Sequence, residues 1–490
     1  MFLGLDLGTS AIKAVLVDDE QRVIASAETP LDISRPAPGF SEQDPEAWWQ
    51  ATLASIDRLK AEKPAELAAV RGLALSGQMH GAVLLGAGGE VLRPAILWND
   101  GRSIAECREM EAAWPDLPRV TGNRAMPGFT APKLLWVAKH EPEVFARTKK
   151  VLLPKAYIGY RLTGEMVEEM SDGAGTLWLD TGARDWSDEA LALTRMDRSY
   201  MPRLVEGNAP AAALKPELAA RWGMTAAPIV AGGAGDNAAG AIGLGAIRDG
   251  DAFVSLGTSG VLWATTARFA PNPAHGVHAF CHAIPATWHQ MGVILSAASA
   301  FGWWSKVAGE APGVLESRLG PAPSAPAPVF FLPYLSGERT PHNDPEARGA
   351  FVGLDHDTSR ETLTQAVMEG VAFAFRDCLE ALREAGTTIT SADIIGGGSR
   401  SRFWTSVTAN VLDLPIHRVA DGERGGAFGA ARLARMAVTG EAPEAVCTPP
   451  QRVETVEPDA ALAARYAERH ARYRALYPAL KSYNIRELRQ

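Results

Sequence analysis

The sequence predicts an α/β protein made of two related halves, and three observations carry that expectation. The tetrapeptide Leu-Gly-Thr-Ser occurs twice, at residues 7–10 and 256–259, and each copy closes an apolar run that reads as a buried strand, residues 1–6 and 251–255. A second alternating apolar stretch follows each copy, at residues 11–17 and 260–265, so the repeated unit is strand, Gly-Thr-Ser turn, strand. Strands ending in glycine then alternate with helical periods along the rest of the chain, which is the pattern of an α/β fold.

Residues 22–26 supply a third strand, with Asp18-Asp19-Glu20 as the turn before it. Consecutive strands without an intervening helix predict an RNase H-like meander, because a Rossmann unit needs a helix directly after its glycine turn. Residues 45–61 predict a helix capped by Asp44, with Trp48, Leu53, Ile56 and Leu59 on one face. Residues 70–75 are the next buried strand and lead into Ser76-Gly-Gln-Met-His-Gly81, after which residues 82–86 and 91–98 continue the apolar segments. Helical periods dominate from about 103 to 225, for example at 133–139 and around 191–194, and read as an insertion on the first half. Residues 228–235 predict a strand ending in glycines, and 238–245 a helix of small residues. The domain boundary is expected there, giving domains 1–245 and 246–490. In the second half a Pro/Ala loop covers 320–328, the longest helix 362–385, a strand 393–398 and a further helix 402–412. Residues 442–458 have the composition of an exposed linker, and 460–480 read as a terminal amphipathic helix.

A chain of 490 residues exceeds what one core organises, in keeping with two domains. Its 47% apolar and 21% charged residues are those of an ordinary soluble enzyme. The net charge of −9 is dispersed, which argues against nucleic acid and anionic membranes as main partners. The four cysteines are far apart with no C-x-x-C spacing, so free thiols in a reducing cytoplasm are expected. No signal peptide is expected, since the chain opens into a strand without a basic leader. No apolar run approaches the roughly 20 residues of a membrane span.

Backbone N–H groups and two hydroxyls in a Gly-Thr-Ser turn form a compact cradle for phosphate oxygens, and two cradles suit one triphosphate. The same residues equally make ordinary hairpin turns. Asp6, ahead of Gly8-Thr9-Ser10, is a carboxylate in an apolar strand and is costly to bury unless it is paired or bound to metal. Orienting Mg²⁺ on phosphates is one reading, and capping the turn is the other. Lys13 has the charge for a terminal phosphate and also the position of a solvated strand lysine. Asp236, between Gly232-Gly-Ala-Gly235 and Asn237-Ala-Ala-Gly240, stands at a helix start among residues small enough for a substrate to reach the backbone. That position suits a base accepting a hydroxyl proton, and it also suits a simple N-cap. Asp6 and Asp236 are together the candidate metal ligands. Gly396-Gly-Gly-Ser399 ends a strand in a turn that lets a nucleotide lie against the backbone, but it does not follow G-x-G-x-x-G. The polar loop Glu338-Arg-Thr-Pro-His-Asn-Asp344 either approaches a cleft or is a solvated surface loop.

Several of these segments meet a known family. Gly4-Leu-Asp6-Leu-Gly-Thr-Ser10 resembles the first phosphate motif of the FGGY carbohydrate kinases, within the actin/Hsp70/hexokinase ATPase superfamily. Gly128-Phe-Thr-Ala-Pro-Lys-Leu-Leu-Trp136 resembles that family's first signature, and Arg348-Gly-Ala-Phe-Val-Gly-Leu354, continuing to Glu369-Gly370, its second. Ser255-Leu-Gly-Thr-Ser259 is similar to the second phosphate motif and Ile394-Ile-Gly-Gly-Gly-Ser399 to the adenosine motif. The motifs run through nearly the whole chain in the family's order. Gly77-Gln-Met-His-Gly81 with Leu97-Trp-Asn-Asp-Gly-Arg102 is similar to the xylulose-phosphorylating branch, whereas glycerol kinases carry Arg-Glu where this chain has Met79-His80.

The resemblance implies two actin-like ATPase domains with ATP, Mg²⁺ and a sugar in the cleft between them. It implies Met79, His80, Asp236 and Asn237 at the sugar, Asp236 as proton acceptor, and Asp6 supporting metal and phosphate. Gly8, Thr9, Ser10, Lys13, Gly257 and Thr258 would face phosphates, and Gly397, Gly398 and Ser399 the nucleoside. The implied reaction is phosphorylation of D-xylulose by ATP. A kinase for ribulose, a deoxyketose or another polyol is the alternative within the class. A non-catalytic sugar- or nucleotide-binding regulator is the alternative outside it, disfavoured because a sensor has no need of both Asp6 and Asp236. The partners expected are small molecules, with a homodimer as the one protein association left open.

Overall fold

A strand whose residues are apolar on both faces belongs in the middle of a sheet covered on both sides. Phe2–Leu7 is such a strand. It runs antiparallel to Ala11–Val17 on one side and parallel to Gly72–Gly77 on the other. The computed structural model describes residues 1–420 and 425–481. Across its first sheet the order is Pro210–Ala213, Ile229–Ala231, Gly72–Gly77, Phe2–Leu7, Ala11–Val17, Val23–Pro30, with Ala234–Gly235 also pairing to Gly72–Gly77. The second sheet runs His278–Cys281, Trp288–Ile294, Gly260–Thr266, Ala252–Leu256, Ala392–Ile395, Ile416–Val419, Arg452–Val456.

The repeat seen in the sequence is a repeat of topology. In each sheet the strand before Gly-Thr-Ser pairs antiparallel with the strand after it, and parallel with a later strand on its other edge. Helices cover both sheets, which makes a two-part α/β fold of the actin-like ATPase type. Both Gly-Thr-Ser turns leave the C-terminal ends of their strands, where open α/β sheets bind ligands.

The helix Pro45–Glu62 forms as its pattern predicts, with Asp44 accepting from the Glu46 N–H at 2.9 Å and Trp48, Ile56 and Leu59 buried. The helices Arg360–Glu384, Arg402–Leu412 and Ala460–Leu480 follow the periodicity closely. Two segments differ. Residues 442–458 are not a linker, because they hold the short helix Pro443–Val446 and the edge strand Arg452–Val456, paired with Ile416–Val419. An edge strand with one solvated face looks polar in sequence. Of residues 91–98 only Ala95–Ile96 is a strand.

The helix Gly425–Thr439 was not expected, for its buried face is made of alanine and glycine more than of large apolar residues. It comes from the second half of the chain yet lies on the first sheet. A Cβ on Gly4 would stand 1.8 Å from Ala427 O, and one on Gly429 1.8 Å from Ala239 O in the helix Asp236–Leu244. Arg432 then donates from Nη1 to Ile242 O at 2.9 Å and Gly243 O at 3.1 Å, covering carbonyls at that helix's C-terminus, and from Nη2 to Thr448 O at 2.9 Å. No helix among the described residues is long and apolar enough to cross a membrane.

Candidate active site

Antiparallel register places Lys13 opposite Asp6 on the same face of the first sheet. Ser76, on the parallel neighbour, donates from Oγ to Asp6 Oδ1 at 2.8 Å. Burial raises the Asp6 carboxyl above its ordinary range, while the Ser76 hydrogen bond and the Lys13 charge pull it back. Gly426, at the start of the helix Gly425–Thr439, closes the group, since a Cβ there would meet Ser76 Oγ at 2.4 Å and Asp6 Oδ1 at 2.9 Å.

Asp236 is the first residue of the helix Asp236–Leu244, with Gly235 as its cap, so the helix begins earlier than its small-residue run suggests. Its Oδ1 accepts from the Asn237 backbone N–H at 2.7 Å and from Asn237 Nδ2 at 2.8 Å. No hydrogen bond among the described residues reaches Oδ2. Burial and then the negative charge of Asp6 push the Asp236 carboxyl up to about 7, against the Asn237 donors that pull it down. Asp6 is therefore near enough for its charge to make the ionisation of Asp236 harder.

His80 has φ +70, a left-handed conformation that a residue with a Cβ adopts only when its surroundings impose it. Its carbonyl accepts from Thr130 Oγ1 at 3.1 Å and from the buried Lys133 Nζ at 2.7 Å, and Lys133 also donates to Gly128 O at 2.7 Å. The segment 128–136 thus shapes the turn that carries His80. The imidazole hydrogen-bonds Gly175 O through Nδ1 at 2.6 Å, and since a carbonyl only accepts, Nδ1 carries the proton and Nε2 is left as acceptor. Burial lowers its pKa to about 3, so the ring is neutral. Met79 packs where a Cβ on Gly235 would come within 2.9 Å of its Sδ, which sets Met79 directly against the residue preceding Asp236.

The two Gly-Thr-Ser turns differ in what their threonines do. Thr9 Oγ1 accepts from the Trp98 indole N–H at 3.0 Å and donates to Gln78 Oε1 at 3.3 Å. Its hydroxyl is thus engaged by protein as both acceptor and donor. Thr258 and Ser10 are exposed, and the carbonyl of Thr258 accepts from Ala297 N and Ser299 N at the start of the helix Ala298–Ala308. Thr9→Val is accordingly expected to cost about 1–2 kcal/mol of stability, and Thr258→Val less than about 0.5 kcal/mol. Denaturant unfolding checks this, and equal losses would contradict the asymmetry.

The triple-glycine turn abuts the second Gly-Thr-Ser turn, for a Cβ on Gly396 would meet Leu256 O at 2.9 Å and Gly257 N at 3.1 Å. Gly397 has open space beside it, whereas Gly398 is pressed on Leu256. Ser399 Oγ donates to Gly396 O at 2.7 Å, so that hydroxyl closes its own turn. Two clusters result. Asp6, Lys13, Met79, His80, Asp236 and Asn237 belong to the first sheet, and Gly257, Thr258 and Gly397 to the second. No hydrogen bond among the described residues joins them.

Ser76, Gln78, Trp98 and Lys133 were not singled out individually in the sequence, although all lie in quoted motifs. Asp100 and Arg102 serve the loop itself, with Arg102 Nη2 on Asp100 Oδ2 at 2.7 Å and its guanidinium 3.8 Å from the Phe40 ring. The loop Glu338–Asp344 is not a solvated surface loop. Arg339 Nη1 donates to His278 Nε2 at 3.0 Å, His278 Nδ1 bonds Asn123 Oδ1 at 2.7 Å, and the Arg339 charge helps hold both His278 and His80 neutral.

The chain matches the N-terminal domain model of the FGGY family of carbohydrate kinases over residues 1–243 and the C-terminal domain model over residues 252–438. It is 47% identical to the xylulose kinase of Escherichia coli (strain K12) over 98% of this chain and 99% of that protein. Among solved structures it is similar to the "xyloylose kinase" of Brucella ovis, at 56% identity and a TM-score of 0.96, covering 98% of this chain and 99% of that one. It is also similar to a gluconate kinase from Lactobacillus acidophilus, at 26% identity and a TM-score of 0.92, covering 98% and 97%. With its turns, its paired carboxylates and its duplicated sheets accounted for, the chain belongs to the FGGY family of carbohydrate kinases and is a phosphotransferase.

Proposed function

We propose that this kinase transfers the γ-phosphoryl group of ATP to a terminal hydroxyl of D-xylulose, giving D-xylulose 5-phosphate and ADP. The observation that carries the chemistry is Asp236, a carboxylate raised to about 7 by burial and by Asp6 and tethered, among the described residues, through Oδ1 only. Such a group accepts a hydroxyl proton near neutral pH. Its Oδ2 takes the proton from the sugar hydroxyl, the oxygen attacks the γ-phosphorus, and the bond to the β–γ bridging oxygen breaks to release ADP. Asn237 orients the carboxylate. The names of the relatives support the xylulose assignment, and so does the neutral Met79–His80 pair, which offers an apolar surface and one uncharged acceptor.

Asp6, beside the Ser76 hydroxyl, and Asp236, close enough to feel its charge, offer oxygen donors of the kind a hard divalent cation takes, so the site fits Mg²⁺. Asp6 would hold it, with Asp236 adjoining. When bound, Mg²⁺ offsets phosphate charge. Lys13 and the backbone of Gly8 to Ser10 then meet phosphate from the first sheet, and Gly257, Thr258, Gly397 and Gly398 meet the nucleotide from the second. Closure of the parts excludes water as a competing acceptor. The four cysteines are all buried and unpaired, in keeping with a reducing cytoplasm as the place of work.

An ADP-release assay across D-xylulose, D-ribulose, L-ribulose, gluconate and glycerol tests the reading. The expected kcat/KM for D-xylulose exceeds that for glycerol by at least about 10³-fold, because a site built to bond hydroxyls rejects an analogue lacking them. D-ribulose is expected between the two. His80→Ala should erode this selectivity more than it slows ATP hydrolysis without sugar. Faster turnover of gluconate, glycerol or L-ribulose would overturn the xylulose assignment.

A further inference from the structure

The turn that delivers Asp236, Gly232-Gly-Ala-Gly235, has only one methyl group of its own to hold it in place. Side chains from the insertion grip both its ends. The Gly235 N–H, one residue before Asp236, is shared between Glu169 Oε1 at 3.2 Å and Ser171 Oγ at 3.1 Å. At the other end Gly232 O accepts from Lys155 Nζ at 3.4 Å. Lys155 also lies 2.8 Å from Glu168, 3.8 Å from Glu169 and 3.7 Å from Asp172, and all four side chains are buried. The Lys155 ammonium lies within 4 Å of all three carboxylates, so the cluster is an ion network with a cation of its own.

Glu169 is saturated with donors. Besides Gly235, its Oε1 accepts from Ser171 Oγ and from Asp172 N, both at 2.8 Å, and Oε2 accepts from Ser171 N at 2.7 Å. Burying a carboxylate is expensive, and apolar packing would fasten the insertion to the sheet at lower cost. What apolar packing cannot do is fix one peptide N–H in direction, and this carboxylate fixes the N–H next to Asp236. We infer that Glu169 is a positioning residue for the proposed base: it sets the peptide from which Asp236 projects, with Lys155 supplying the countercharge and the second anchor. This rests on the reading of Asp236 given above.

Glu169→Gln tests it, because every oxygen of Glu169 faces a donor and a carboxamide must turn its NH₂ toward one of them. The expected result is a kcat lowered about 10- to 100-fold with KM for sugar and ATP changed less than about 3-fold, as a misplaced reacting group gives. In an Asp236→Asn background the same substitution should cause no further loss of the residual rate, since it acts through Asp236. Ser171→Ala removes half of the shared acceptor and should lower kcat a few-fold, and it carries the test if Glu169→Gln does not fold. A folded Glu169→Gln or Ser171→Ala enzyme with wild-type kcat would overturn the inference, as would an undiminished loss in the Asp236→Asn background. Near wild-type turnover by Asp236→Asn alone would instead bring down the reading of the base.

Discussion

Asp236→Asn is expected to lower kcat for sugar phosphorylation by at least about 10²-fold while ATP binding survives, the range for loss of a general base. The substitution keeps size and shape, and Asn can still accept from Asn237, so the fold should be retained. Stability should even rise. The folded carboxyl titrates near 7 against 3.8 for the ordinary group, so folding disfavours ionisation. Both states are protonated well below 3.8, and the handicap builds as pH rises from there to about 7 and is complete above it. Asn removes the handicap. The variant should therefore be more stable than wild type by about 1–2 kcal/mol near pH 8 and no more stable near pH 4, a trade of stability for activity common at reacting groups. Thermal unfolding at the two pH values, beside the steady-state rate, checks both parts.

Gly429→Ala is expected to have the largest effect on stability, costing about 3 kcal/mol or more. An added methyl in a helix is ordinarily favourable by up to about 1 kcal/mol. Here it would meet the backbone oxygen of Ala239 at 1.8 Å, and no rotamer change relieves a clash with backbone. Gly4→Ala meets Ala427 O at the same distance and should behave alike. Gly426→Ala differs, for its neighbours are the side chains of Ser76 and Asp6. It should leave unfolding nearly unchanged and reduce activity by displacing Asp6. Chemical denaturation of the three variants separates these cases, and a Gly429→Ala protein as stable as wild type would contradict the tight docking of the two helices.

The parts of the fold legible in the sequence were those with strong periodicity or a local signal. The meander, the Asp44 cap and the helix Ala460–Leu480 are read from neighbouring residues alone. The helix Gly425–Thr439 was not legible, because its burial depends on glycine and alanine against another helix, and small residues leave no hydrophobic stripe. The candidate site shows the same division. Asp6 and Asp236 stand beside glycine turns and could be singled out, but the effect of Asp6 on the ionisation of Asp236 exists only once two distant segments meet. Thr9 stands out in the sequence as part of a repeated turn, but its hydrogen-bond partner Trp98 does not, since Trp98 comes from 89 positions away. Glu169 gave no signal, as the acidic pair in Val167–Glu169 resembles any solvated strand end until Gly235 is seen donating to Glu169.

The central claim, that a carboxylate near neutrality deprotonates the sugar hydroxyl, is tested most directly by kcat/KM for D-xylulose between about pH 5 and about pH 9 in wild type and Asp236→Asn. The wild-type value should rise about tenfold per pH unit up to about 7 and then level off, because the free enzyme's Asp236 must be ionised to act. The variant should be low and flat across that step. A wild-type profile flat down to about pH 5, or a variant that keeps the same rise, would contradict the account.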